Sequence, residues 1–228
     1  MKIVALETTE KVGGVAALEG DDLLAEVQFN SQQRSAQSLV PAIQDVLSAV
    51  HWLPEEVELV SVAIGPGSFT GLRVGVAATK TFAYVAHSKV IGVGTLRVIA
   101  AQAPDEIPLL WTLMNAGRRQ LFVGKFVRDE SGNLTQVGKT EIQDNDDWLV
   151  GLEPGDAVTG PGLDPLAEQL PNGVCALDRA LWHPRAATVG RVGYRQYNAG
   201  QRDDLWKLVP FYGRPSAAEE KSARRDNS

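Results

Sequence analysis

Cysteine is almost absent from this sequence: Cys175 is the single one among 228 residues. An intrachain disulfide is therefore impossible, and without a CxxC partner the thiol has neither metal binding nor dithiol redox chemistry open to it. A half-buried apolar role is expected for it. Histidine is scarce too. His51, His87 and His183 stand far apart, so no helical face offers two imidazoles to a metal. Long apolar runs are missing: nothing approaches the ~18 residues of a membrane span, and MKIVALETTE lacks the apolar core of a secretory leader. A soluble, cytoplasmic protein with no membrane partner is expected. Positive charge is also in deficit, with 22 Lys and Arg against 28 Asp and Glu. An acidic chain repels a phosphate backbone, and the basic end KSARRDNS reads as a solvated tail. No GxSxG elbow is present either.

What the sequence does have is a globular composition, 44% apolar and 22% charged. IVAL (3–6), GGVAALEG and LLAEVQF read as three strands joined by short turns, an antiparallel meander. In SAQSLVPAIQDVLSAV, residues Leu39, Ile43, Val46, Leu47 and Val50 recur with helical period, so an amphipathic helix covers about 35–50, Pro41 near its start and Ser35 or Ser38 as cap. LVSVAIG (59–65) is a strand covered on both faces. A second helix runs to about His87, KVIGVG is another strand, and TLRVIAAQ a third helix with Thr95 as N-cap. The order is β-β-β-α-β-α-β-α. APDEIP then marks a boundary, dividing a lobe of residues 1–103 from a second lobe of 104–228, whose terminal helix has the option of packing back on the first. LLWTLMN, RQLFVGKFVRD and LTQVGKTEI open the second lobe as antiparallel strands. Beyond residue 142 the signal weakens: DAVTGPG is a strand and turn, ATVGRVGYRQYNAG a helix, and VPFYGRPSAAEEKSARRDNS an extended tail.

The stretch most unlike ordinary filler is GPGSFTGLRVG (65–75). Ser68 has no base nearby in sequence and reads as a turn or helix-cap serine rather than a nucleophile. A strand, a glycine turn and a helix start together form an anion site, because free N–H groups and the helix dipole point outward. Yet neither a P-loop nor a dinucleotide spacing is present. Thr8 and Thr9 at the end of the first strand, with the Gly67 turn, are the other phosphate candidates. Gly71 and Gly75, four apart, leave a bare helical strip that Ala78 extends. Glycine inside a helix costs roughly 1 kcal/mol, so close packing must compensate. The neighbour is either an element of the same lobe or a second chain.

These residues, together with IVALETTE, AQSLVPAIQDVL, KVIGVGTL and VPFYGRP, resemble the bacterial TsaB (YeaZ) family. The likeness is good over the first 100 residues and poor over 140–200. It implies an α/β fold of the actin-like/Hsp70-like (ASKHA) ATPase type, two βββαβα lobes with the second reduced. It implies a non-catalytic partner in making threonylcarbamoyladenosine on tRNA, docking through helices around 35–50 and 70–87 to a TsaD-type transferase, with a TsaE-type ATPase as further partner and a homodimer when alone. The docking positions it points to are Leu39, Ile43, Val46, Gly71, Val74, Gly75 and Ala78. No cofactor of its own is implied, ATP or ADP binding weakly and only within the complex, and no direct tRNA contact or metal is expected. Three positions depart from the family: Glu7 stands where it has Asp, Ser35 where it has His, and Asn115 where it has Asp. Asn115 lacks the charge to coordinate a cation well, and these departures weigh against nucleotide turnover. The rival reading is a small ASKHA-type ATPase or phosphotransferase using Thr8, Thr9 and Gly67; a self-associating protein with an altered partner is another.

Overall fold

The computed structural model describes residues 1–29, 35–129 and 132–213. The alternating β-branched and small residues at the start form β1 (Lys2–Glu7), β2 (Gly13–Glu19) and β3 (Asp22–Phe29), joined as a meander. Helix α1 (Ser35–Ala49) crosses back to β4 (Leu59–Gly65), α2 (Phe69–Ala86) follows, and β5 (Lys89–Gly94) leads into the short α3 (Thr95–Ala100). The first sheet has the order β3-β2-β1-β4-β5, with β1, β4 and β5 mutually parallel. Its register pairs Ile3 with Leu59 and Leu6 with Val62 on one side of β1, and Glu7 with Gly14 on the other.

Both faces of this sheet are covered, which explains why β1 and β4 read as nearly continuous apolar runs. Val4, Leu6, Val15, Val60 and Val62 pack under α1 and α2. Ile3, Ala5, Leu18, Leu59, Ile91 and Val93 pack under α5 (Ala186–Asn198). Within residues 104–228, α5 and the strap that follows it lie on the first lobe, the packing left open for the terminal helix. The physical reason is that α1 and α2 cover one face of the first sheet, and the opposite face needs its own helix.

The second lobe repeats the topology in smaller pieces. Strands β6 (Leu109–Gly117), β7 (Gln120–Arg128) and β8 (Leu134–Asp144) form the meander; α4 (Asn145–Val150), β9 (Ala157–Thr159) and β10 (Cys175–Ala176) complete it. The order β10-β9-β6-β7-β8 is the order of the first sheet, position for position. Leu110, Met114, Phe122 and Phe126 join Leu96 and Ile99 of α3 in one core, so α3 ties the lobes together.

Several local expectations are corrected. Pro41 sits inside α1, since the helix begins at Ser35; Ser38 is a buried helix residue, not its cap. Gly94, not Thr95, caps α3, and the Thr95 hydroxyl is buried without a partner. Cys175 is exposed because β10 is a two-residue strand at the sheet edge. The basic end KSARRDNS lies outside the described residues.

Candidate functional site

The turn after β1 and the start of α2 meet at the mouth of a cleft between the lobes, of about 1470 Å³. Thr9, Gly13, Ser68 and Gly71 contribute from the first lobe; Asn115, Asp164 and His183 contribute from the second. The structure thus brings together Thr8, Thr9 and Gly67, but it turns their polar groups toward one another. The Thr8 hydroxyl donates to the Gly71 carbonyl at 2.8 Å, and the Ser68 amide donates to the Thr9 carbonyl at 2.7 Å. A Cβ on Gly67 would come within 2.5 Å of Thr9 Cβ. Ser68 is the N-cap of α2, its Oγ accepting from the Gly71 amide, which is the cap role expected of it.

Glu7 is the unexpected member. It is 1% exposed, and its Oε1 accepts from the Thr9 amide at 2.5 Å and the Thr9 hydroxyl at 2.6 Å. Its Oε2 is buried with no partner. Burial, opposed by the Thr9 hydrogen bonds, pushes the Glu7 carboxyl up to about 7. Burial also raises Glu10 beside it, with His183 across the cleft opposing that shift. Asn115 uses its side-chain oxygen to accept from the Gly117 amide, closing the β6–β7 turn. Among the described residues no group of three or more His, Cys, Asp or Glu is placed to hold a metal ion.

Most of the expected docking positions are turned into the lobe. Leu39, Ile43 and Val46 are all under 8% exposed, because the apolar stripe of α1 is spent on its own sheet. Gly71 and Gly75 face inward: a Cβ on Gly71 would collide with the Thr8 carbonyl oxygen, and one on Gly75 with the Thr8 hydroxyl. The bare strip therefore admits the end of β1, not a foreign helix. Val74 and Ala78 are half-buried against the same core. The face left over is a different one. On α2, Phe69, Tyr84 and Val85 are exposed, Val85 at 69%.

A strap of residues 203–213 runs along this face. Asp203 accepts the Gly92 amide at 2.8 Å, and Lys80 Nζ donates to the Trp206 carbonyl at 2.9 Å. Leu208 is buried in the lobe core, and the Phe211 amide donates to the Ile64 carbonyl at 2.7 Å. The Arg73 guanidinium lies 3.8 Å from the Phe69 ring centre and donates to the Tyr212 hydroxyl at 3.0 Å. Trp206 stacks at a tilt against Tyr84, and Gly213 abuts Phe122 of the second lobe. The expected extended tail is thus, up to Gly213, a tied element. Its signals in the sequence were its aromatic residues and the VPFYGRP motif.

Two lobes of one topology facing each other across a cleft define the class: an actin-like/Hsp70-like ATPase fold. The YeaZ structure from Pseudomonas aeruginosa superposes with a TM-score of 0.81 at 20% identity, covering 92% of this chain and 99% of that one. Residues 23–190 match the family model described as TsaD, tRNA N6-adenosine threonylcarbamoyltransferase, and the chain belongs to that family, in its TsaB/YeaZ branch. The tRNA threonylcarbamoyladenosine biosynthesis protein TsaB of Bacillus subtilis is 29% identical over 97% of both chains. A tRNA N6-adenosine threonylcarbamoyltransferase of Streptococcus pneumoniae is 32% identical over 73% of this chain and 55% of its own length.

Proposed function

We propose that this protein acts in tRNA threonylcarbamoyladenosine biosynthesis as a non-catalytic partner that docks and activates a TsaD-type transferase. The TsaB relatives carry the pathway. One structural observation carries the docking role: large exposed apolar side chains gather along α2 and the strap, where Tyr84, Val85, Trp206 and Val209 are each 60% exposed or more. Contiguous apolar surface of this kind marks an interaction site. The flanking Arg73 and Lys80 give the face positive charge, which favours a partner with acidic residues opposite. A nucleotide belongs to the assembled complex rather than to this chain alone. A TsaE-type ATPase joins that complex, and the protein forms a homodimer when the transferase is absent. The docked partner, not this chain, contacts tRNA.

The test is co-purification with the transferase of the same organism. Val85→Glu places a charge on the exposed face; it is expected to abolish the complex while leaving the thermal midpoint of the free protein unchanged. Full retention of the complex by Val85→Glu and by Trp206→Ala would reject this face.

A further inference from the structure

The chain passes between the lobes twice, outward through residues 101–108 and back through residues 177–185. Closing a cleft about such a joint requires backbone rotation in both crossings. Gln102 stands in the outward crossing and spends its whole amide on the returning one. Its Nε2 donates to the Leu181 and His183 carbonyls, both at 2.9 Å, and its Oε1 accepts from the Arg185 amide at 3.0 Å. Two carbonyls face the donor end and an N–H faces the acceptor end, so the amide has a single orientation. The outward crossing is itself fastened to the second lobe. From β7 the Arg128 side chain, 12% exposed, donates through Nε to the Ile107 carbonyl at 3.1 Å and through Nη2 to the Pro104 carbonyl at 2.9 Å.

The return shows where the joint would turn. Trp182 is buried in the core of the second lobe, and Ala186 and Ala187 are buried in that of the first. The change of lobe therefore falls on residues 183–185, where Pro184 has one backbone rotation locked. Gln102 grips Leu181 and His183 before this pivot and Arg185 after it. We infer that Gln102 is the pin of a locked hinge, which holds the two lobes at one angle and the cleft at one width. His183, Pro184 and Arg185 line the cleft, so any turn at the pivot would move the cleft wall itself. Among the described residues, Gln102 alone hydrogen-bonds both crossings. Apolar contacts across the joint, such as Ala103 and Leu181 in one core, have no direction and would permit sliding. No residue of the α2 face takes part, so the inference stands apart from the docking role.

The experiment measures the separation of the lobes in the full chain by pulsed electron spin resonance. One label is placed on Cys175, exposed in the second lobe, and the other on Lys11→Cys, at the exposed first-lobe rim of the cleft. With Gln102 in place, one narrow distance distribution is expected. Gln102→Met keeps the length of the side chain and makes none of these bonds. Its distribution should widen at least about twofold, and its Arg185 amide should exchange with solvent at least about tenfold faster. Labels on Lys11→Cys and Asp22→Cys, with Cys175→Ser, report on the first lobe alone and should keep their width. A broad distribution with Gln102 present, or one that stays narrow in Gln102→Met, overturns the inference. So does equal broadening of the pair within the first lobe, which would mean a loosened lobe and not a freed hinge. Should Gln102→Met not fold, the unaltered hinge decides: a narrow distribution with a protected Arg185 amide upholds the inference, and a broad one or an unprotected amide overturns it.

Discussion

Thr8 fills a slot between the end of β1 and the inner face of α2, and neither glycine opposite it has room for a side chain. Gly75→Leu therefore strikes the lobe's own packing. Such overpacking against backbone and a buried hydroxyl is expected to cost about 3 kcal/mol or more, read as a lower urea midpoint. A leucine variant with unchanged stability would mean that the slot is wider than it stands. The spacing of Gly71 and Gly75 made the bare strip legible in the sequence. What lies against it was not, because a periodic pattern reports which face is special and never which neighbour it meets. Glu7 gives a second expectation at this scale. Its folded pKa is about 7 against an ordinary 4.5, so between those values the folded state binds the extra proton. Stability is then unaffected below about pH 4.5, falls as pH rises toward 7, and levels off above, by about 3 kcal/mol in all. Glu7→Gln should remove this slope from denaturation curves recorded across the range; an identical slope in the variant would assign it elsewhere.

Helix α2 carries three jobs on three faces. One seats Thr8, one packs with Val76 and Ala83 on the core, and one bears the strap. The amphipathic stripes of α1 and α2 could be read directly from residue spacing, yet a stripe of core residues and a stripe awaiting a partner look alike in sequence; burial settles that Leu39, Ile43 and Val46 are core. The strap escaped because it is short, has little regular structure and is held by scattered single bonds. Asp203 is its first anchor. Asp203→Ala removes an acceptor from the part-buried Gly92 amide and is expected to cost about 2 kcal/mol. It should also speed hydrogen exchange at the Phe211 amide, whose bond to Ile64 depends on the strap staying in place. Unaltered exchange at Phe211 would show that the strap is held by its aromatic contacts instead.

At the scale of the molecule, the two lobes share one strand order but not one quality of core. The meander β6–β8 was legible from the strand-like segments LLWTLMN, RQLFVGKFVRD and LTQVGKTEI. Beyond it, β9 was read in DAVTGPG, but the two-residue β10 was not, since so short a strand leaves too few positions for a period to register. The lobes are joined twice. The outward crossing follows α3; on the return, the Glu26 carboxylate of β3 pairs with Arg185 at 2.5 Å and accepts the Ala187 amide at 3.0 Å, capping the start of α5. A fragment of residues 1–103 lacks α5, and the apolar face of Ile3, Leu18, Leu59 and Ile91 is then open. It is expected to aggregate or to bind a hydrophobic dye, and to be rescued by joining residues 186–213 through a linker; a monomeric, dye-silent 1–103 fragment would contradict this.

That return has a consequence for synthesis. A ribosome making this chain delivers β1 to β5 early but withholds their second cover until the entire other lobe has been translated. The aromatic face on α2 is finished later still, when Trp206 and Tyr212 emerge. Nascent or prematurely ended chains that stop short of Tyr212 therefore lack the complete aromatic face.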